Sequence, residues 1–317
     1  MSEHEHGHKE IRLAVAAVIV AAICVAFAPL FAKMAVNNDV LYGNKGISPT
    51  AVGFWRMFIS VPVVFAFWFF SKERTQFSGA YDSLKRSVKY PLIILLLPAF
   101  FFTLDLGVWH SAFEYTTIAN ATLEANLSAI LVPLFSYFIW RQRFNMYFVI
   151  GSLISFVSLI GLIGVKFTGD SMQWFGDLLG IMAAFCYGSY QLSSKVLTRH
   201  FSTLTIMLLC VGGVSVFFFI YHSVLGENVF PQNISTFNYL IALALVSQVL
   251  GQGLVIYSLN RLKAATVAVT LLLQPVATSF LGCFFLEQVL TYREVLFSMG
   301  VLLGIAVTIL LGRVRAS

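Results

Sequence analysis

The chain has 317 residues, of which 59% are hydrophobic and 11% charged, and its mean hydropathy is +0.85. A soluble domain carries about 25% charged residues, so water is not the only solvent of this protein. The net charge of +6 becomes informative through where the cations stand.

The chain opens on HEHGHKE. Residues 1–10 are expected to form a disordered cytoplasmic tail. His4, His6 and His8 alternate, but such a tail is more often solvated than metal-binding, and no metal or cofactor is expected. The first apolar stretch, Ile11 to Met34, is too long for the ~7–15-residue core of a signal peptide, so it is kept as a helix.

Ten spans follow in order: 11–35, 50–70, 91–112, 117–140, 146–166, 174–196, 202–222, 237–259, 264–286 and 294–312. Each is near the ~20 residues that a helix needs to cross hydrocarbon, and none shows the alternation of barrel strands. The expectation is an all-α integral membrane protein. Cys24, Cys186, Cys210 and Cys283 all lie inside these spans and read as packing residues.

Cytoplasmic loops carry an excess of Lys and Arg. With the N-terminus inside, the inner segments hold Lys9 and Arg12; Lys72, Arg74, Lys85, Arg86 and Lys89; Arg141 and Arg143; Lys195 and Arg199; Arg261 and Lys263; Arg313 and Arg315. That is fifteen of the 20 Lys and Arg, against Lys45, Lys166 and Arg293 outside. Both termini are therefore placed in the cytoplasm, and the membrane is read as the inner (plasma) membrane.

Part of the chain repeats. Phe113 to Asn145 matches Leu259 to Thr291 at one offset, with Ala119 on Ala265, Leu127 on Leu273 and Phe138 on Phe284. Residues 11–166 and 174–312 are thus two five-helix repeats. Five is odd, so the second enters the membrane from the opposite side. Ten transmembrane helices form two inverted five-helix repeats, and the solute site of such a carrier lies where the halves meet. Lys33 ends the first span and Lys195 the sixth, on opposite faces.

A charge in hydrocarbon costs about 2.5–3.5 kcal/mol on insertion scales, so each one asks for a reason. Arg56, in GFWRMF, either anchors an anionic group in a cavity, snorkels to the interface, or pairs to fix helix packing. Glu124 lies in NATLEANLS with Asn120 one turn before it on the same face. It is a candidate to bind a cation, to carry a coupling proton, or to pair with Arg56. Asp105 is deep in the third span, a second proton candidate or a structural hydrogen-bond partner, and His110 near the outer end is expected to be solvated.

Gln248 and Gln252 sit one turn apart in the eighth span, with Gln191 in the sixth and Gln274 before Pro275 in the ninth. Their amides either orient a polar solute or join helices at about 0.6 kcal/mol each. Trp109, Tyr187, Tyr190 and Tyr257 are candidate aromatic walls. Pro29, Pro62, Pro98, Pro133 and Pro275 each remove a helix hydrogen bond. The pairs Gly176/Gly180 and Gly300/Gly304 imply close helix contact, within the chain or across a homodimer. The chain has no GxxxxGK[ST], and no HExxH or GxSxG stands in any span, which argues against ATP hydrolysis, a membrane protease and a lipase.

GFWRMF, LDLGVWHSAFEYTTIANATLEANLSAI and LNRLKAATVAVTLLLQPVATSFLGCFFLEQVLTYRE resemble the drug/metabolite transporter superfamily, in its EamA-type branch with ten spans. In that resemblance Glu287 closes the ninth span. Arg141 stands at its place in the first half and Ala129 at that of Pro275, so Glu287 reads as a helix cap. The resemblance implies a carrier in which spans one to four of each half line a cavity and the fifth and tenth are peripheral. It also implies substrates such as amino acids, nucleosides and related metabolites.

The expected function is therefore a non-enzymatic secondary transporter of a small polar or amphipathic metabolite, amino-acid-like in the first instance, working by alternating access. The substrate-binding candidates are Arg56, Asn120, Glu124, Trp109, Tyr190, Gln191, Gln248, Gln252, Tyr257 and Gln274. The alternatives are a carrier of a cationic nucleoside-like solute such as S-adenosylmethionine, and, from other classes, a passive pore or a membrane-embedded enzyme. The expected partners are the solute and the lipid bilayer, with no nucleic acid.

Overall fold

A computed structural model describes residues 2–41, 47–112, 115–116, 118–164, 172–226, 228–286 and 291–312. Glu287, Lys45, Lys166, Arg313 and Arg315 lie outside the described residues. The structure is built from helices. Nine helical stretches among the described residues are long and apolar enough to cross a membrane.

Helix α1 (Ser2–Leu41) begins inside the stretch expected as a disordered tail. It is followed by α2 (Pro49–Phe70), a short polar α3 (Glu73–Ser87) and α4 (Pro91–Ala112). Then come α5 (Ile118–Ala125), α6 (Ser128–Trp140) and α7 (Met146–Ile163). The second half runs α8 (Gln173–Leu197), α9 (Thr203–Leu225), α10 (Thr236–Ala242), a π-helical segment (Leu243–Gln252) and α11 (Gly253–Arg261). It ends with α12 (Ala264–Thr270), α13 (Leu273–Leu286) and α14 (Tyr292–Leu311).

The expected sixth span is α8, which is long enough to cross but less apolar than the other nine. Its polar residues Gln191, Ser193 and Ser194 are buried, so its composition answers to the interior rather than to lipid. Lipid-facing surfaces elsewhere are apolar, with Phe67, Leu92, Leu153 and Phe219 all exposed.

The expected fourth and ninth spans are each broken, at places that correspond in the repeat. In the ninth, Pro275 has no N–H to give the Leu271 carbonyl, which accepts from the Gln274 amide instead (2.9 Å). In the fourth, Asn126 turns its side chain back onto the Thr122 carbonyl (2.7 Å) and competes with the helix ladder. One geometry thus arises from two local causes.

The halves interlock. α4 packs along α8, α1 packs along the π segment and α11, α2 packs on α9, and α7 on α14. This pattern maps onto itself when the halves are exchanged. Ser247 donates to the Cys24 carbonyl and Ser258 to the Ala14 carbonyl (3.0 Å each), so α1 runs antiparallel to its partner.

Both small-residue pairs are used inside the chain. A Cβ on Gly304 would lie 2.5 Å from the Gly151 carbonyl oxygen, and one on Gly151 would lie 2.6 Å from the Gly304 oxygen. Gly176 meets the Thr116 backbone at 2.7 Å, and Gly180 meets Glu124. Backbone against backbone cannot yield as a side chain tip does. Gly304→Val is expected to cost about 3 kcal/mol or more, read as a lowered Tm or loss of monodisperse protein, whereas Gly79→Ala, in open space, leaves both unchanged.

Candidate functional site

Two polar clusters lie inside the bundle. The first is built around Arg56, which α2 carries into the interior with 7% of its surface exposed. This excludes snorkelling to an interface. Its Nε donates to Gln248 Oε1 (3.0 Å). One turn on, Ser60 donates to the Arg56 carbonyl (2.7 Å) and lies 3.4 Å from the Ala244 carbonyl, which pins α2 to the π segment. π-helical turns recur at functional sites because they re-aim side chains, and here the π segment buries both Gln248 and Gln252.

Asp105 of α4 is buried near Arg56 and feels its charge. No direct ion pair joins the two. The terminal guanidinium nitrogens and the Asp105 oxygens make no hydrogen bond within the chain, yet they are not sealed by packing.

The opposite wall is α8. Tyr190, fully buried, stacks on Phe102 with centroids 4.5 Å apart and its hydroxyl donates to Gln252 Oε1 (3.3 Å). The Tyr187 hydroxyl lies beside the amides of Gln252 and Gln274, without a hydrogen bond of good geometry. Both polar atoms of Gln191, Gln274 Nε2 and Ser194 Oγ are buried with no partner in the chain. Buried polar atoms are almost always satisfied, so this run of orphans on one face of α8 marks a place that water or a solute completes.

The second cluster joins α5 to α8. Asn120 donates to Thr116 Oγ1 (3.4 Å), and Thr116 donates to Asp177 Oδ1 (2.7 Å). The Glu124 carboxyl lies close to Asp177 in the notch left by Gly180, and its buried Oε2 has no hydrogen-bond partner among the described residues. The acid beside Glu124 is thus Asp177, and the acid beside Arg56 is Asp105; the structure does not join Glu124 to Arg56.

The structure gathers Arg56, Asp105, Tyr190, Gln248 and Gln252 into one site, with Gln274 beside Tyr187, and places Asn120 and Glu124 in the other. Tyr257 belongs to neither. Its ring is covered by the Arg261 guanidinium, 3.8 Å from the centroid, at the far end of α11. Trp109 is half-buried against His110 (centroids 5.2 Å). His110 itself is buried, not solvated as expected. Sequence reasoning missed Asp177 and Ser60. Asp177 had one signal, an acid between Gly176 and Gly180 at the start of a span.

A polytopic helical membrane protein of two related halves, with buried charges and amides where they meet, has the architecture of a solute transporter. The EamA-like transporter family model matches residues 12–164 and again 174–310, and the chain belongs to that family. An "Uncharacterized transporter" of Archaeoglobus fulgidus is 27% identical over 250 residues, covering 78% of this chain and 82% of that protein. A solved structure, titled only as the crystal structure of a protein, superimposes with a TM-score of 0.74 at 18% identity. It covers 95% of this chain and 98% of its own, and is evidence for the fold alone.

Proposed function

We propose that this protein is a secondary carrier of a small zwitterionic or amphipathic metabolite, amino-acid-like in its head group. It works by alternating access between two inverted five-helix repeats, with α8 as the sixth of ten spans. The orientation follows the charge bias, with both termini on the cytoplasmic side of the inner membrane.

One observation carries the reading: a buried guanidinium and a buried carboxyl from the first half lie near each other without a direct ion pair, where the second half supplies hydroxyls and amides, several of them without a partner. A solute carboxylate suits Arg56 and its ammonium suits Asp105, because opposite charges in a low-dielectric site attract strongly. The amine-binding role first considered for Glu124 passes to Asp105. Tyr187, Tyr190 and the glutamines would select the rest of the solute by donors and acceptors.

Counterflow in proteoliposomes tests this. Vesicles preloaded with an unlabelled zwitterion are expected to accumulate the same labelled compound transiently, and adenosyl compounds should compete poorly. A linear, unsaturable leak would indicate a pore. Strong competition by adenosyl cations would transfer the site to a nucleoside-like substrate.

A further inference from the structure

We infer that Lys195 is the latch that holds one mouth of the carrier shut, and that Lys33 makes the reciprocal contact when the other mouth closes. The inference rests on the alternating-access reading above. Lys195 Nζ donates to the Leu259 carbonyl (2.5 Å) and to the Leu262 carbonyl (3.0 Å). These are carbonyls at the C-terminal end of α11, where a helix leaves acceptors unmatched and its dipole favours a cation. Lys195 stands in the last turn of α8, so one ammonium ties the ends of two helices.

The same mouth is plugged. Val132, Leu192, Leu262, Ala264 and Val267 belong to one buried apolar cluster, α6 packs on α12, and Ser194, beside the latch, is fully buried. The other mouth differs at each corresponding element. Among the described residues α5 and α13, the remaining parts of the two broken spans, make no extended contact, and neither do α1 and α4, whereas α8 and α11 do. Lys33, which answers to Lys195 when the two family-matched stretches are set level at residues 12 and 174, stands further from the end of its helix, is exposed and makes no hydrogen bond or ion pair with the described residues.

Two related halves, one latched and one unlatched, define the two end states. Exchange of their arrangements releases Lys195 from α11 and brings Lys33 to the carbonyl end of α4. A charge-assisted pair of hydrogen bonds present in only one state biases the equilibrium toward that state.

The test uses the full chain with Cys24, Cys186, Cys210 and Cys283 replaced by alanine and Ser194→Cys as reporter, labelled in proteoliposomes with a membrane-impermeant maleimide. Lys195→Met is expected to speed labelling about tenfold, while Lys195→Arg, which keeps a donor to both carbonyls, stays near the parent rate. Lys33→Met is expected to slow labelling, because it removes the contact that favours the opposite state. Parent-like labelling of monodisperse Lys195→Met would overturn the latch, as would faster labelling of Lys33→Met. If Lys195→Met does not fold, Lys33→Met decides alone, and an unchanged rate rejects the proposal. Counterflow on the same vesicles separates the two ideas. Its absence in the unsubstituted chain, reconstituted alongside, sinks the carrier reading, whereas the labelling rates report the latch whether or not solute moves.

Discussion

Arg56→Met is expected to lower counterflow by about two orders of magnitude, with folded protein still recovered. The cause is the position of the guanidinium. It is buried and tied by Nε to Gln248, and its terminal nitrogens make no hydrogen bond with the described residues. Losing one partner of a desolvated charge pair costs about 2–5 kcal/mol in binding, which is roughly 30-fold to several thousand-fold. Arg56→Lys keeps the charge but not the fork that meets Gln248 and a carboxylate together, so an intermediate loss of about tenfold is expected. The double variant Arg56→Met with Asp105→Asn separates two explanations. If the pair only balances charge for folding, removing both restores transport, because a lone buried charge is what a single deletion leaves behind. If Arg56 holds the solute, the double variant folds at least as well as the single one and still does not transport. Thermal unfolding and counterflow on the same samples give both readouts.

The membrane, the helices and the repeat were legible because each is a one-dimensional pattern. Apolar length gives spans, and a constant offset gives two halves. Helix faces were legible as well. Asn120 and Glu124 do lie on one side of α5, and Gly176/Gly180 and Gly300/Gly304 do mark close approaches. What each face meets was not legible. Arg56 and Gln248 are 192 positions apart, and nothing local says that α2 lies on the π segment. For the same reason the pairing with Arg56, one of three readings of Glu124, is replaced by proximity to Asp177, and Tyr257 lies under the Arg261 guanidinium. α8 shows the complementary effect. Its low hydropathy made it the least conspicuous span, and the polar residues responsible form one wall of the site. The break in α12–α13 could be traced to Pro275, while its counterpart at Asn126 depends on a side-chain hydrogen bond that composition does not reveal.

Glu124→Gln is expected to remove the pH dependence of flux without unfolding the protein, and Gly180→Ala to impair the same step by a different route. Glu124 and Asp177 approach each other from α5 and α8, and Thr116 and Asn120 hold Asp177 from the other side. On α4, Asp105 and His110 lie nearer to Arg56, and α7 carries no acid or base other than Tyr147. Two adjacent carboxyls are held together when they share one proton and repel when both are ionised. Glutamine is neutral at every pH, so if the Glu124 carboxyl carries the coupling proton, Glu124→Gln should flatten the profile across the series. In Gly180→Ala the new methyl takes the space of the Glu124 carboxyl and lies 2.8 Å from where Glu124 Cβ now stands. Displacement of Glu124 should lower flux and blunt its pH response, with a fall in Tm of about 1–3 kcal/mol in equivalent stability. A Glu124→Gln variant with the parental pH profile would show that the carboxyl pair joins two helices and carries no proton in transport.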